Sequence, residues 1–444
     1  MSESQGQLGW KLIQCELTLG TGEIENITNK LLNFTYYEDL ERINPTATAQ
    51  ISDLGAQDMP LTGGEAFKII LETDQSDDSG EKQYDFIVSK VNVVSKTDKG
   101  NIISLHLVKE DSKKISEFKT KKAYTGTGDK IIAKLFEDAG VEARVMSRDV
   151  PFNPQKMLGE GRTLAQMVRN VCMTSISNEG MKAQTCGYFF WGTKDGYHLA
   201  SIDNLLSNGQ EDNYQGAEAE YTYYQSVANS NVPAHLIIQS FENKTDGDLK
   251  TMADKGVFAA IIQITNTDTQ EVKEVKWMLK DHWDSWAHIG TQSAFPDWAL
   301  KWLDEYLQGK TSRTFEVTVS NEAQYDKDDP AVSTEDQSDD RTDGATEYQD
   351  WGPMTKCQYN ARRATMVMNV SNVVIPGNAK LRAGDKITLK LASSTPDAFR
   401  RADDEDKRRS GDYLIFRLAH RYSMVPRECF TAATLVKDSL NKNC

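Results

Sequence analysis

Cysteine pairs at the spacing of metal ligands or redox couples are missing from this sequence. The six cysteines, Cys15, Cys172, Cys186, Cys357, Cys429 and Cys444, include no C-x-x-C, so no zinc knuckle, redox dithiol or disulfide framework is indicated. A chain of 444 residues can build a core without such staples. The thiols are therefore expected to be reduced and mostly buried as small hydrophobes. A leader is missing too, because MSESQGQLGW has no basic segment followed by an apolar one. The longest apolar run, Val257 to Ile262, is far too short to span a bilayer. These absences point to a soluble chain made in the cytosol with no membrane partner, and they leave the sequons at Asn26, Asn33, Asn243 and Asn369 without meaning.

Catalytic signatures are equally scarce. The histidines, His106, His198, His235, His282, His288 and His420, form no H-E-x-x-H, and no G-x-S-x-G occurs. His282 and His288 in DHWDSWAH are six apart, which does not place them on one helical face as paired ligands. TGTGDK at Thr125 to Lys130 lacks the spacing of a phosphate loop and reads better as a turn before a helix. No catalytic, cofactor-binding or metal residue is expected, no cofactor, and no enzyme activity. Positive charge is also short: 51 basic against 66 acidic residues give a net charge of −15. The basic clusters Lys113-Lys114, Lys121-Lys122, Arg362-Arg363 and Lys407-Arg408-Arg409 each sit beside acidic residues, so specific binding of nucleic acid is not expected.

What the sequence does have is strand-like alternation. Residues 8 to 112 read as a β meander, with WKLIQCELTLG, ATAQISDLG, AFKIILET and YDFIVSKVNVV separated by turn signals. After Ser112 two helices follow. One carries Ile131, Ile132, Leu135 and Phe136 with Gly140 as its stop, and one carries Leu164, Met167, Val168, Val171 and Cys172 behind a Thr163 cap. Two aromatic strands around Lys194-Asp195-Gly196 make a hairpin. Strands resume near residue 220, Asn266 to Thr269 reads as a turn, and Pro296 to Gly309 reads as a helix. Residues 322–350 hold eleven acidic and two basic residues with almost no large aliphatics, and so read as a mobile segment.

Two of the β stretches repeat each other. Asp85-Phe86-Ile87-Val88 corresponds to Asp412-Tyr413-Leu414-Ile415, and Leu107-Val108-Lys109 to Leu435-Val436-Lys437. Upstream, Leu61-x-x-Gly64-Glu65 and the strand after it line up with Leu381-x-x-Gly384-Asp385 and its strand. Ordered recurrence of three strands implies a duplicated antiparallel unit; with only two copies these are separate barrels or sandwiches rather than a solenoid. In the second copy, Leu414, Phe416 and Leu418 are expected to share the core-facing side.

The motifs GYFFWGTKDGYHLASIDNLL, VVIPGNAKLRAGDKITLKL and the final pattern from Gly411 to Ser439 resemble, in this order, the baseplate hub protein of contractile-tailed bacteriophages. That resemblance implies a homotrimer in which two similar antiparallel β-barrels per chain make a pseudo-six-fold ring. It implies as partners a central spike protein, tail tube or tube-initiator proteins and other baseplate components, in a virion tail assembled in the host cytoplasm, with DNA passing through the channel. The fold class expected is β-rich α+β. The divisions expected are 1–113 for the first barrel and 114–207 for a small α/β insertion. The second barrel takes 208–240 with 311–444, and 241–310 forms a β/helical insertion with a tryptophan cluster. With the sequence ending three residues after Asn441, no fused spike is expected. The alternative is a glycan-binding protein or glycosidase of a virion, because five of eight tryptophans lie between Trp277 and Trp302.

Overall fold

Alternating burial carries most of the described residues before position 109 into a sheet in the computed structural model, which describes residues 10–53, 61–73, 80–97, 100–207, 220–225, 232–245, 249–266, 270–289, 293–294, 314–319, 354–393, 405–407 and 409–441. Six strands make a first unit: β1 (Trp10–Thr18), β2 (Leu31–Asp39), β3 (Thr46–Asp53), β4 (Ala66–Thr73), β5 (Gly80–Thr97) and β6 (Gly100–Val108). They pair in the order β1-β4-β5-β6-β3-β2, antiparallel throughout. Phe67, Ile69 and Leu71 of β4 and Tyr84, Phe86 and Val88 of β5 alternate into one core with Phe34 and Tyr36 of β2.

The segment after β6 folds as the helical periodicity requires. Helix α1 (Gly128–Asp138) buries Ile131, Ile132, Leu135 and Phe136, and Gly140 follows it at φ +66°. Helix α2 (Leu164–Thr174) begins with a reciprocal cap, in which the Gln166 amide donates to Thr163 Oγ1 and the Thr163 amide to Gln166 Oε1. Both helices pack on the hairpin of β7 (Tyr188–Gly192) and β8 (Tyr197–Ser201), whose Phe190 and Tyr197 complete a separate core.

A second unit follows: β9 (Tyr221–Gln225), β10 (Ser240–Thr245), β11 (Asn369–Pro376), β12 (Lys386–Lys390), β13 (Gly411–Met424) and β14 (Arg427–Lys437). Its order is β9-β12-β13-β14-β11-β10, the first unit's order strand for strand. One pairing differs in sense: β9 runs parallel to β12, whereas β1 is antiparallel to β4. Between β10 and β11 lie a three-stranded sheet of Ala259–Asn266, Val272–Met278 and Thr314–Val319, and helix α3 (Thr355–Met366). Strand β10 runs across positions 240 and 241, and Thr314–Val319 pairs parallel with Ala259–Asn266. The polar run SFENKT has little strand signal of its own and takes its place by edge pairing with β11.

The chain is β-rich with few helices, but the expected closed barrels are not found. Among the described residues each unit is an open run of strands, and the β2 edge at the end of the first is occupied by β13 of the second. The two units share one fourteen-stranded sheet. The helix expected from Pro296 and the acidic stretch 322–350 lie outside the described residues.

Candidate assembly site: the seam between the two units

Strand register makes the duplication a matter of individual residues. Opposite Ile87 and Val88 of β5 stand Val108 and Leu107; opposite Leu414 and Ile415 of β13 stand Val436 and Leu435. These are the pairs that the repeated sequence aligns. The turn before β4 is also copied. Gly64 and Gly384 have φ of +97° and +90°, and their amides donate to the carbonyls of Val88 and Ile415 at 2.8 and 2.9 Å. The next carboxylate accepts from the turn in both copies, Thr62 N to Glu65 Oε1 at 2.7 Å and Arg382 N to Asp385 Oδ2 at 2.8 Å. An L side chain is strained at such φ, which is why glycine stands at both places.

A bulge corrects the expected facing of β13. Its register slips between Ile415 and Arg417, as that of β5 slips between Val88 and Lys90. An extra residue inverts the alternation beyond it. Tyr413, Ile415 and Leu418 therefore share the second unit's core, matching Phe86, Val88 and Val91 of the first. Leu414 and Phe416 face the opposite way, into a cluster with Phe189, Trp191 and Ile202 of the α/β segment. Leu418 does not lie with them.

Past the bulge, Arg417 to Ser423 of β13 pair antiparallel with Asp39 to Asn33 of β2, and this is the seam. Arg417 closes it with an ion pair to Asp39 at 3.0 Å. At its centre Glu38 is fully buried, continuing the face of Phe34 and Tyr36. Its carboxylate accepts from Tyr36 OH at 3.0 Å, Lys194 N at 3.3 Å and Ala383 N at 2.9 Å. One side chain thus ties together the first unit, the β7–β8 turn and the second unit. Burial pushes the Glu38 carboxyl up to about 7, against the nearby Arg382 guanidinium, which favours its charge. Arg382 in turn donates to Asp195 at 2.9 Å. His420 stacks on Tyr36 and has both ring nitrogens engaged, by Thr431 Oγ1 and Leu381 O at 3.1 Å each; burial and then Arg382 push it down to about 3. Along the seam a groove is lined by polar residues such as Thr46, Thr48 and Thr434 together with apolar ones such as Val374 and Ala433.

The motifs weighed for chemistry are used for packing. Thr125 to Lys130 spans a strand end and the start of α1, and a Cβ at Gly128 would fall 2.4 Å from Ser175 Oγ, so close packing requires the glycine there. His288 is buried between Asp438 Oδ2 at 2.6 Å and Trp283 O at 2.8 Å, while the half-buried His282 stacks on Trp277. Trp277, Trp283 and Trp286 are core residues; Trp298 and Trp302 lie outside the described residues. Cys15, Cys172, Cys186, Cys357 and Cys429 are free and buried. The sequence reading missed Glu38 and Arg382. The available signal was a carboxylate two residues past Tyr36, in step with core-facing aromatics.

No family model and no curated protein matches the sequence. Solved structures do. A tail protein from Neisseria meningitidis MC58 is 11% identical with a TM-score of 0.51, over 97% of each chain. The 43 kDa tail protein of prophage MuSo2 from Shewanella oneidensis is 10% identical at 0.47, over 96% of this chain and 98% of that one. The E. coli c3393 protein, a component of the type VI secretion system, is 8% identical at 0.38, over 97% and 76%. The structural neighbours are thus phage tail proteins, baseplate components and spike-like proteins of secretion systems. The first of them shows that this chain shares the fold of a tail protein.

Proposed function

We propose that this chain is the structural hub of a contractile-tail baseplate. Three copies form a ring of six equivalent units, adapting a six-fold tail tube to a three-fold central spike. The observation that carries the reading is the duplication of a six-stranded unit, in the same strand order and with matching registers in its central strands, within a chain that has a tail-protein fold. A three-fold object meets a six-fold one without mismatch when each subunit presents the same surface twice. The partners are two further copies, the spike, tube or tube-initiator subunits and other baseplate components, and the location is the virion tail. DNA passes the ring without being bound. The division into two units, an α/β insertion and a second insertion between β10 and β11 belongs to the same proposal. The role is assembly rather than catalysis; tail structural neighbours support this, and the seam's charged groups are consumed by one another. Against the glycan-binding alternative, three of its five tryptophans, Trp277, Trp283 and Trp286, are buried in a core and have no face free to stack on a sugar. The test is antibody labelling of purified particles: label at the tube-proximal end of the baseplate supports the proposal, and label confined to fibres or heads refutes it.

A further inference from the structure

The seam within one chain uses the distal half of β13 and the outer edge of β2. Their counterparts in the other copies, the distal half of β5 and the outer edge of β10, have no strand beside them among the described residues. Strand β5 pairs with β4 only up to Ile87, and from Lys90 onward its second edge is open. Among the described residues, strand β10 pairs with β11 alone. The open part of β5 carries Val93 and Val94, which are 62% and 57% exposed. An open strand edge with exposed valines is an invitation to pairing.

We infer that Lys90 to Val94 of β5 pairs, antiparallel, with β10 of a second copy of this chain, repeating between chains the seam that β13 and β2 make within one. The inference deepens the ring reading above and rests on it. The occupant follows from the registers. Tyr36 lies opposite Ala47 as Asn243 lies opposite Ser371, and Ala47 lies opposite Leu107 as Ser371 lies opposite Leu435. Asn243 is therefore the counterpart of Tyr36. Val93 likewise stands three residues beyond the bulge, as His420 does beyond its own. Since His420 lies opposite Tyr36 in the internal seam, Val93 falls opposite Asn243 in the intermolecular one, and Asn92 opposite Lys244. Lys90 stands where Arg417 closes the internal seam, and Glu242, Asn243 and Lys244 present an exposed polar edge. Such a contact is heterologous, first unit to second unit of the next chain, and repetition closes it into a ring in which the two kinds of unit alternate.

The test is cross-linking of the full chain carrying Val93→Cys and Asn243→Cys in a Cys444→Ser background, the other five cysteines being buried. Directly opposed strand residues have Cα atoms about 4.5–5.5 Å apart, within reach of a disulfide. Mild oxidation should give covalent oligomers that end at a closed species, while each single-cysteine variant stays uncross-linked. In a companion variant, Val93→Glu with Val94→Glu should lose the oligomer in light scattering while the monomer keeps its melting temperature, since both side chains are exposed within one chain. A trimer that forms without the 93–243 link, or that survives the double glutamate, overturns the seam and leaves the ring reading standing. A chain that stays monomeric at every concentration overturns the seam as well, and particle labelling then decides the ring separately.

Discussion

Gly64 and Gly384 occupy the same turn in the two units, so one substitution made at each site separates backbone strain from docking. Alanine at either position must adopt a positive φ, at a cost of about 1–2 kcal/mol. Around Gly64 the added Cβ meets nothing within 4 Å. At Gly384 it would lie 2.6 Å from Cζ2 of Trp191, a fully buried ring held by its own Nε1 hydrogen bond to Ala383 O at 2.9 Å. That ring cannot withdraw without breaking the bond and the packing of the α/β segment on the second unit, and overpacking of this kind costs a further ~1–3 kcal/mol. Gly64→Ala should therefore destabilise by about 1–2 kcal/mol, and Gly384→Ala by about 2–5 kcal/mol in all. Urea unfolding followed by tryptophan fluorescence measures both, with hydrogen exchange locating the loss. Protection should fall in β7 and β12 for Gly384→Ala and only around β4 for Gly64→Ala. Equal costs at the two sites, or a neutral Gly384→Ala, would refute the claim that the copied turn has been turned into a docking point.

Leu414→Asp places a carboxylate among Phe189, Trp191 and Val436. It should cost about 3–5 kcal/mol and release the α/β segment from the second unit, read as new proteolytic cleavage near residue 207; a variant as resistant as wild type would contradict the junction. The histidine at the seam has its pKa held down, to about 3 for His420, so its contribution is complete above pH 6.5 and is lost as pH falls toward 3. Glu38 has the opposite sign: raised to about 7, it contributes most below about pH 4.5 and less as pH rises through 7. His420→Gln should thus gain stability relative to wild type on acidification, by up to about 1.4 kcal/mol per pH unit below 6.5, and parallel melting curves from pH 4 to 8 would contradict this. With a net charge of −15, the purified chain should not retain duplex DNA at physiological salt; tight retention that falls steeply with added salt would show a phosphate-binding surface.

The duplication was legible in sequence because its strands close on the same residues, and the observed registers align Gly64 with Gly384 and Leu107 with Leu435 as the sequence does. The helices were legible from apolar spacing and from Thr163 and Gly140 at their ends. The bulges were not, because nothing in Ile415-Phe416-Arg417 marks which residue is left over, and so Leu414 and Phe416 were placed on the core-facing side with Leu418, which alone of the three lies in the second unit's core. Strand β10 was missed because its polar residues owe their conformation to β11 rather than to propensity. The seam itself was invisible, since an edge pairing between β13 and β2 joins residues nearly four hundred positions apart, and no local pattern records it. Barrels were expected from the two-copy repeat and from the family resemblance; here, among the described residues, each unit is an open run of strands and the first unit's β2 edge is covered by the second.

Electron microscopy of the assembled oligomer, resolved well enough to trace strands, tests the central claim most directly. The account predicts a closed ring of three chains in which first and second units alternate, with β5–β10 seams between chains superposing on the β13–β2 seams within them. A particle in which the chains meet through other surfaces, leaving the β5 and β10 edges in solvent, would contradict it.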